Sequence, residues 1–296
     1  MTLPYNLHQL VTTDIQSPLP PAAVADIISN PPFVTVPGLF NLRDISPASS
    51  SSFSSSNATL RPRLAYRCGA LPTTLPPGAT TALAALGIEK IFDLRRPDER
   101  TKKPSPVIDG IETVWIPDAN AGKPPGFVSA PPAEAERSIE NLVDMYTGYL
   151  SSHAPVFRSV FEHVRDNPGV PFLFHCSAGK DRTGVLAALL HRLAGSADEA
   201  IVHDFTLSRV GIEPGRAALL SMMQSAYGES AWENPVLLVL WGVHAAGMSG
   251  FLTVLDELHG GVEGYLRTLG FGEEDLERMR VNLRVGGAVD GIESVL

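Results

Sequence analysis

The stretch PFLFHCSAGKDRTGVLAALL, Pro171 to Leu190, decides how this 296-residue chain is read. It opens in VPFLFH, a short continuous apolar run of the kind that fills a buried strand. It ends in TGVLAALLHRLAG, which has the apolar spacing of a helix and stops at Gly195. The polar turn HCSAGKDRTG therefore joins a strand to a helix. Backbone N–H groups from Ser177 to Arg182 can curl there into a concave nest, and the helix behind points its positive end at the same spot. Such a turn binds a dianion. One of only two cysteines in the chain, Cys176, stands at its start.

Nest and helix dipole both favour the thiolate form of a cysteine so placed, which makes it a nucleophile at neutral pH. Arg182 stands six positions later, so five residues can wrap one tetrahedral phosphate while the guanidinium fork clamps two of its oxygens. Ser177, Ala178, Gly179, Lys180, Asp181 and Thr183 supply the rest of the cradle, and Gly179 and Gly184 allow its crowded backbone. The Thr183 hydroxyl can donate to the sulfur, and His175 is placed to tune and orient the loop. Expelling an oxygen leaving group also calls for an acid. Three aspartates compete: Asp181 in the loop first, Asp93 of DLRR second, Asp118 of WIPD third. Arg43, Arg95 and Arg96 stand open between ion pairs with Asp44 and Asp93 and an extension of the phosphate site. Lys180 adds a second cation suited to highly charged headgroups.

The pattern C-x5-R, with its flanking His and Thr-Gly, resembles the signature of the cysteine-dependent protein tyrosine phosphatase superfamily. The Lys-Asp pair before Arg182 is similar to that of a subgroup of bacterial and fungal tyrosine phosphatases with triple-specificity members. Further matches are GLFNLRDI (38 to 45), AYRCGAL (65 to 71), IFDLRRPDER (91 to 100), DFTLS (204 to 208) and LHGGVEGYLRTLGF (258 to 271). The resemblance implies a single α/β domain with a central, mostly parallel sheet flanked by helices and a helical lid. It also implies a two-step reaction through a cysteinyl-phosphate, with no cofactor or metal. Cys68 stands where the family often has Ser, and a long Ser-rich insertion comes after NLRDI.

Working outward, TTALAALG reads as a short helix closed by Gly87, with a buried strand from Ile88 to Leu94 behind it. IETVWIPDAN (111 to 120) reads as a second buried strand leading into a Pro/Gly-rich loop. Ser138 to Val164 carries apolar residues at the spacing of two amphipathic helices. Helix and strand alternate, which is the α/β class. SADEAIVHDFTLS opens on Ser196 as an N-cap with Glu199 at the capping-box position. Residues 1–32 form an N-terminal arm, extended from residue 15, and 33–296 a single domain. Within it, 46–63 is the Ser-rich loop and 205–260 a helical lid. The charge-free run from Val236 to Leu255 has the length of a bilayer span, but three glycines and His244 favour a buried helix pair. The pairs Tyr146 with Tyr149 and Trp232 with Trp241 read as packing.

A formal charge of -9 excludes a broad electrostatic footprint for nucleic acid or anionic membrane, so an anionic partner needs a local site. Two distant cysteines form no disulfide framework or zinc pattern, and Cys68 reads as an inert small hydrophobe. The N-terminus lacks the features of a signal segment, which gives a cytoplasmic expectation and sets aside the acceptor motif at Asn57. The expected partners are phosphorylated proteins, phosphotyrosine before phosphoserine or phosphothreonine, or phosphoinositides. A phosphoinositide-selective lipid phosphatase is the alternative, with a rhodanese-type sulfurtransferase or a phosphate-binding pseudophosphatase more distant.

Overall fold

The computed structural model describes residues 6–46, 60–117 and 138–285. Asp118, the Asn57 motif, most of the Ser-rich loop and the Pro/Gly-rich loop lie outside the described residues. The chain opens with helices α1 (Leu7–Val11) and α2 (Pro21–Ile28), then strands β1 (Arg43–Asp44) and β2 (Ala65–Cys68). Next come α3 (Ala79–Ala85), β3 (Lys90–Asp93), α4 (Pro97–Lys102), β4 (Glu112–Trp115), α5 (Ser138–Ser152), α6 (Ala154–Asp166) and β5 (Phe172–His175). The remainder is helical: α7 (Asp181–Ala194), α8 (Asp198–Gly211), α9 (Arg216–Tyr227), α10 (Pro235–Trp241), α11 (Ala245–His259), α12 (Val262–Thr268) and α13 (Glu273–Leu283).

The strands form one sheet in the order β1-β2-β5-β3-β4, parallel except for the antiparallel β1 at one edge. Along β5 the side chains alternate faces. Phe172 and Phe174 enter the large core with α5, α6, α7 and α11, while Leu173 joins Tyr66, Ile91 and Leu83 of α3 on the other side. Helices on both faces explain why the middle strands are buried along almost their whole length. The register sets Cys68 beside His175 and His175 beside Asp93, so three parallel strands end abreast. The loops leaving those three strands therefore converge at one rim, the usual place for a site in such a sheet.

Several expectations need correction. The N-terminal arm is helical rather than extended: Pro21 occupies the first turn of α2, where its missing N–H costs nothing, and Leu19, Val24 and Ile27 pack on Leu207 and Val210 of α8. β4 is half-buried because it is the sheet's edge. Ser196 is not a cap; Ala197 is, and the Ser196 hydroxyl instead bonds His191 Nδ1 at 3.0 Å. The 205–260 stretch divides, since α8 and α11 bury Phe205 and Phe251 in the core and only residues 212–244 lie over the turn after β5. The charge-free run breaks by 75° between α10 and α11, and among the described residues no single helix is long and apolar enough to cross a membrane.

Candidate active site

The turn after β5 carries Cys176 at 2 % exposure, then bends through Ser177 to Lys180 into α7. Gly179 has φ 67°, and a Cβ there would lie 2.2 Å from the carbonyl oxygen of Cys68, so only glycine fits against β2. The Arg182 guanidinium, the first cation inside α7, is gripped by a residue that the sequence reading did not single out. Glu99 of α4 accepts from Nη1 at 2.6 Å and from Nη2 at 2.8 Å, while Leu94 O accepts from Nη1 at 3.2 Å. Those three bonds use three of five N–H groups and leave Nε–H and one Nη2–H, which form the adjacent fork. Glu99 thus leaves that fork without a partner among the described residues.

Glu99 also accepts from the Ser177 hydroxyl at 2.5 Å and from the Arg96 backbone N–H at 2.9 Å. Burial alone would raise its pKa. The Arg182 charge and hydrogen bonds, with Ser177, outweigh burial and hold it well below the usual carboxylate range. Reciprocally, burial lowers the Arg182 pKa but Glu99 more than restores it.

The aspartates occupy different settings. Asp93 is fully buried, its carboxylate taken by Arg95 at 2.9 and 2.8 Å and by the Ser105 hydroxyl at 2.8 Å, with Arg100 3.6 Å away and His175 Nε2 3.7 Å away. Burial pulls its pKa up; His175, Arg95 and Ser105 together hold it well below the usual range. Asp181 is 20 % exposed at its side chain. Its Oδ1 accepts from the Tyr146 hydroxyl at 2.9 Å and lies 3.4 Å from Lys180 Nζ, leaving Oδ2 without a partner among the described residues. Tyr146, read from sequence as packing, therefore reaches the site. Its hydroxyl pKa is raised far above that of tyrosine by burial and by Asp181, so it stays protonated and donates to that carboxylate.

Lys180 is not the free second cation that its sequence position suggested. Its ammonium donates to the carbonyls of Leu240 and Gly242, both at 2.6 Å, at the end of α10. Around it, Ala178 packs with Trp232, Leu238 and Trp241, so the 212–244 segment rests directly on the loop. Arg43 is likewise fully buried and pairs with Asp204 rather than Asp44. Burial, first, lowers its pKa to about 10, which leaves it protonated at neutral pH. Arg95 is committed to Asp93, Ser105 and the Lys103 carbonyl, whereas the half-exposed Arg96 pairs with Asp98 at the rim. His175 Nδ1 lies 3.2 Å from the Cys176 carbonyl, and burial lowers its pKa despite Asp93. The buried Thr183 hydroxyl has no hydrogen-bond partner among the described residues, the Cys176 sulfur included. Cys68 is fully buried and its thiol pKa is raised, chiefly by burial. Among the described residues no cluster of three or more His, Cys, Asp or Glu is arranged to hold a metal ion.

Compared with known proteins, residues 34–285 match the profile of the tyrosine phosphatase family. A tyrosine-protein phosphatase of Nostoc commune is 29 % identical over 213 residues, covering 70 % of this chain and 69 % of that protein. The triple specificity protein phosphatase PtpB of Mycobacterium tuberculosis is 27 % identical over 275 residues, covering 83 % of this chain and 96 % of that one.

Proposed function

The chain belongs to the tyrosine phosphatase family, and we propose that it hydrolyses phosphate monoesters, phosphotyrosine foremost, through a cysteinyl-phosphate formed on Cys176. In the first step the thiolate attacks phosphorus in line. The S–P bond forms as the P–O bond breaks, and the leaving oxygen keeps the electron pair and takes a proton from Asp181. Water then attacks phosphorus and gives its proton back to Asp181 as the S–P electron pair returns to sulfur. Arg182 holds the equatorial oxygens throughout, on the fork that Glu99 leaves free. That free fork, beside a cysteine at the end of β5, is the observation that supports the reading most. Asp181 is preferred over Asp93 because its side chain is 20 % exposed and its Oδ2 has no partner among the described residues, whereas Asp93 is locked in an ion-pair network.

The case for highly charged lipid headgroups rested on Lys180, and its ammonium is committed to the α10 carbonyls. Phosphotyrosine is therefore placed before phosphoserine, phosphothreonine and phosphoinositides, although one relative bears the name triple specificity. The test compares wild type with Cys176→Ser on phosphotyrosine peptide, phosphoserine peptide and a phosphoinositide, with vanadate as inhibitor and thiosulfate as the sulfurtransferase control. Hydrolysis is expected to vanish in the variant, and a fully active serine variant refutes the covalent route. Asp181→Ala is expected to cost about 10²-fold in turnover, with the deficit shrinking for better leaving groups. Asp93→Ala should show no such leaving-group dependence.

A further inference from the structure

The motifs that accompany the loop along the chain meet behind it, and there they grip its backbone. Asn41 of GLFNLRDI donates Nδ2–H to the carbonyls of Ala178 at 3.1 Å and Gly179 at 2.9 Å. Arg67 of AYRCGAL donates from Nη2 to the carbonyls of Gly179 at 2.8 Å and Lys180 at 3.0 Å. The Ala70 backbone N–H takes the Ser177 carbonyl at 3.0 Å. All four carbonyls from Ser177 to Lys180 are thus drawn to the rear of the loop. In a planar trans peptide the carbonyl of one residue and the N–H of the next point opposite ways. Drawing these carbonyls back turns the N–H groups of Ala178, Gly179, Lys180 and Asp181 forward, to the side where an anion is held.

The two gripping side chains are themselves fixed. Arg43 donates to Asn41 Oδ1 at 2.6 Å, which decides which end of the amide faces the loop. Asp204 of DFTLS accepts from Arg43 Nε at 2.7 Å and from Arg67 Nη1. Asn41, Arg43, Arg67 and Asp204 are all buried, with the two arginines at 0 % exposure. A buried pair of guanidiniums around one carboxylate is a costly way to stabilise a core, since apolar packing does as well. Its geometry is suited to holding a loop.

We infer that Asn41 and Arg67 are positioning residues which orient the phosphate loop's N–H groups by binding its carbonyls, with Asp204 and Arg43 as their supports. The inference rests on the phosphatase reading of the loop. Asn41 has φ 56°, a left-handed conformation that glycine adopts freely, so Asn41→Gly deletes the amide and keeps the backbone. Arg67→Lys keeps the charge opposite Asp204 but has no planar fork to span two carbonyls. Each variant is checked for folding by circular dichroism and thermal midpoint, and then titrated with vanadate and inorganic phosphate; kcat and KM are measured on a phosphotyrosine peptide. Weakening of vanadate affinity by about 10-fold or more, with kcat falling and a cooperative melt retained, is expected of both. Should Asn41→Gly fail to fold, Arg67→Lys alone carries the same test.

Folded variants that bind vanadate as tightly as wild type overturn the inference. Loss of midpoint with unchanged affinity at a temperature where the variants are folded does so too, because it assigns these residues to stability only. If wild type itself binds neither oxyanion, the phosphatase reading fails instead.

Discussion

Among single residues, the decisive group is Glu99, which touches no substrate in the proposed reaction yet sets the plane of the guanidinium that does. Glu99→Gln keeps size and shape but turns an NH2 toward Arg182, where an oxygen is needed. We expect kcat/KM on phosphotyrosine peptide to fall about 10- to 100-fold, with vanadate affinity falling in parallel and circular dichroism unchanged. A variant of wild-type activity would show that Arg182 orients itself. The sequence pointed to Arg182 as a candidate through its distance from Cys176, a local relation. It could not disclose Glu99, which meets Arg182 and Ser177 only because β3 and β5 are adjacent and α4 begins just past the end of β3. Tyr146 was hidden for the same reason: helical spacing gives the face it occupies, but not that its hydroxyl reaches Asp181.

Between elements, the loop is tied on two sides, by Asn41 and β2 behind and by the 212–244 segment in front. The front tie is Lys180, whose buried ammonium sits at the C-terminal end of α10, where carbonyls are left over by the helix and a cation is favoured. Lys180→Met keeps the apolar stem and removes both charge-assisted bonds, a loss of about 2 kcal/mol or more. Hydrogen exchange should then rise in residues 212–244 while the sheet stays as protected as before. Unchanged exchange across α10 would mean that Ala178, Trp232 and Trp241 hold the segment by packing alone. The strand, turn and helix around Cys176 were legible because periodicity and glycine punctuation are local signals; the helix α7 does end at Gly195, φ 86°. The extended arm and the Ser196 cap were misread, since tertiary contacts with α8 and the His191 ring decided them.

Over the molecule as a whole, burial of titratable groups makes stability a function of pH. His191 of α7 is 1 % exposed, and burial lowers its pKa to about 4 even though Asp204 pulls the other way. Unfolded, the same ring titrates near the ordinary histidine value of about 6.5. Between those two values the unfolded chain binds a proton that the folded chain refuses, so falling pH favours unfolding across that window. A difference of about 2.5 pH units corresponds to about 3 kcal/mol at most. Buried His163 and His175 are shifted in the same direction and add to the slope. Glu99, Asp93 and Asp204 are held below the usual carboxylate range, so the stability from their ion pairs persists above about pH 4 and is lost only as pH falls further. Thermal midpoints should therefore be level near neutrality, decline from about pH 6.5 to 4, and drop steeply below. His191→Gln removes the titrating ring while an amide can still meet the Ser196 hydroxyl. Its midpoint should fall less than that of wild type over the pH 6.5 to 4 window, and an equal decline in both proteins would take His191 out of the account.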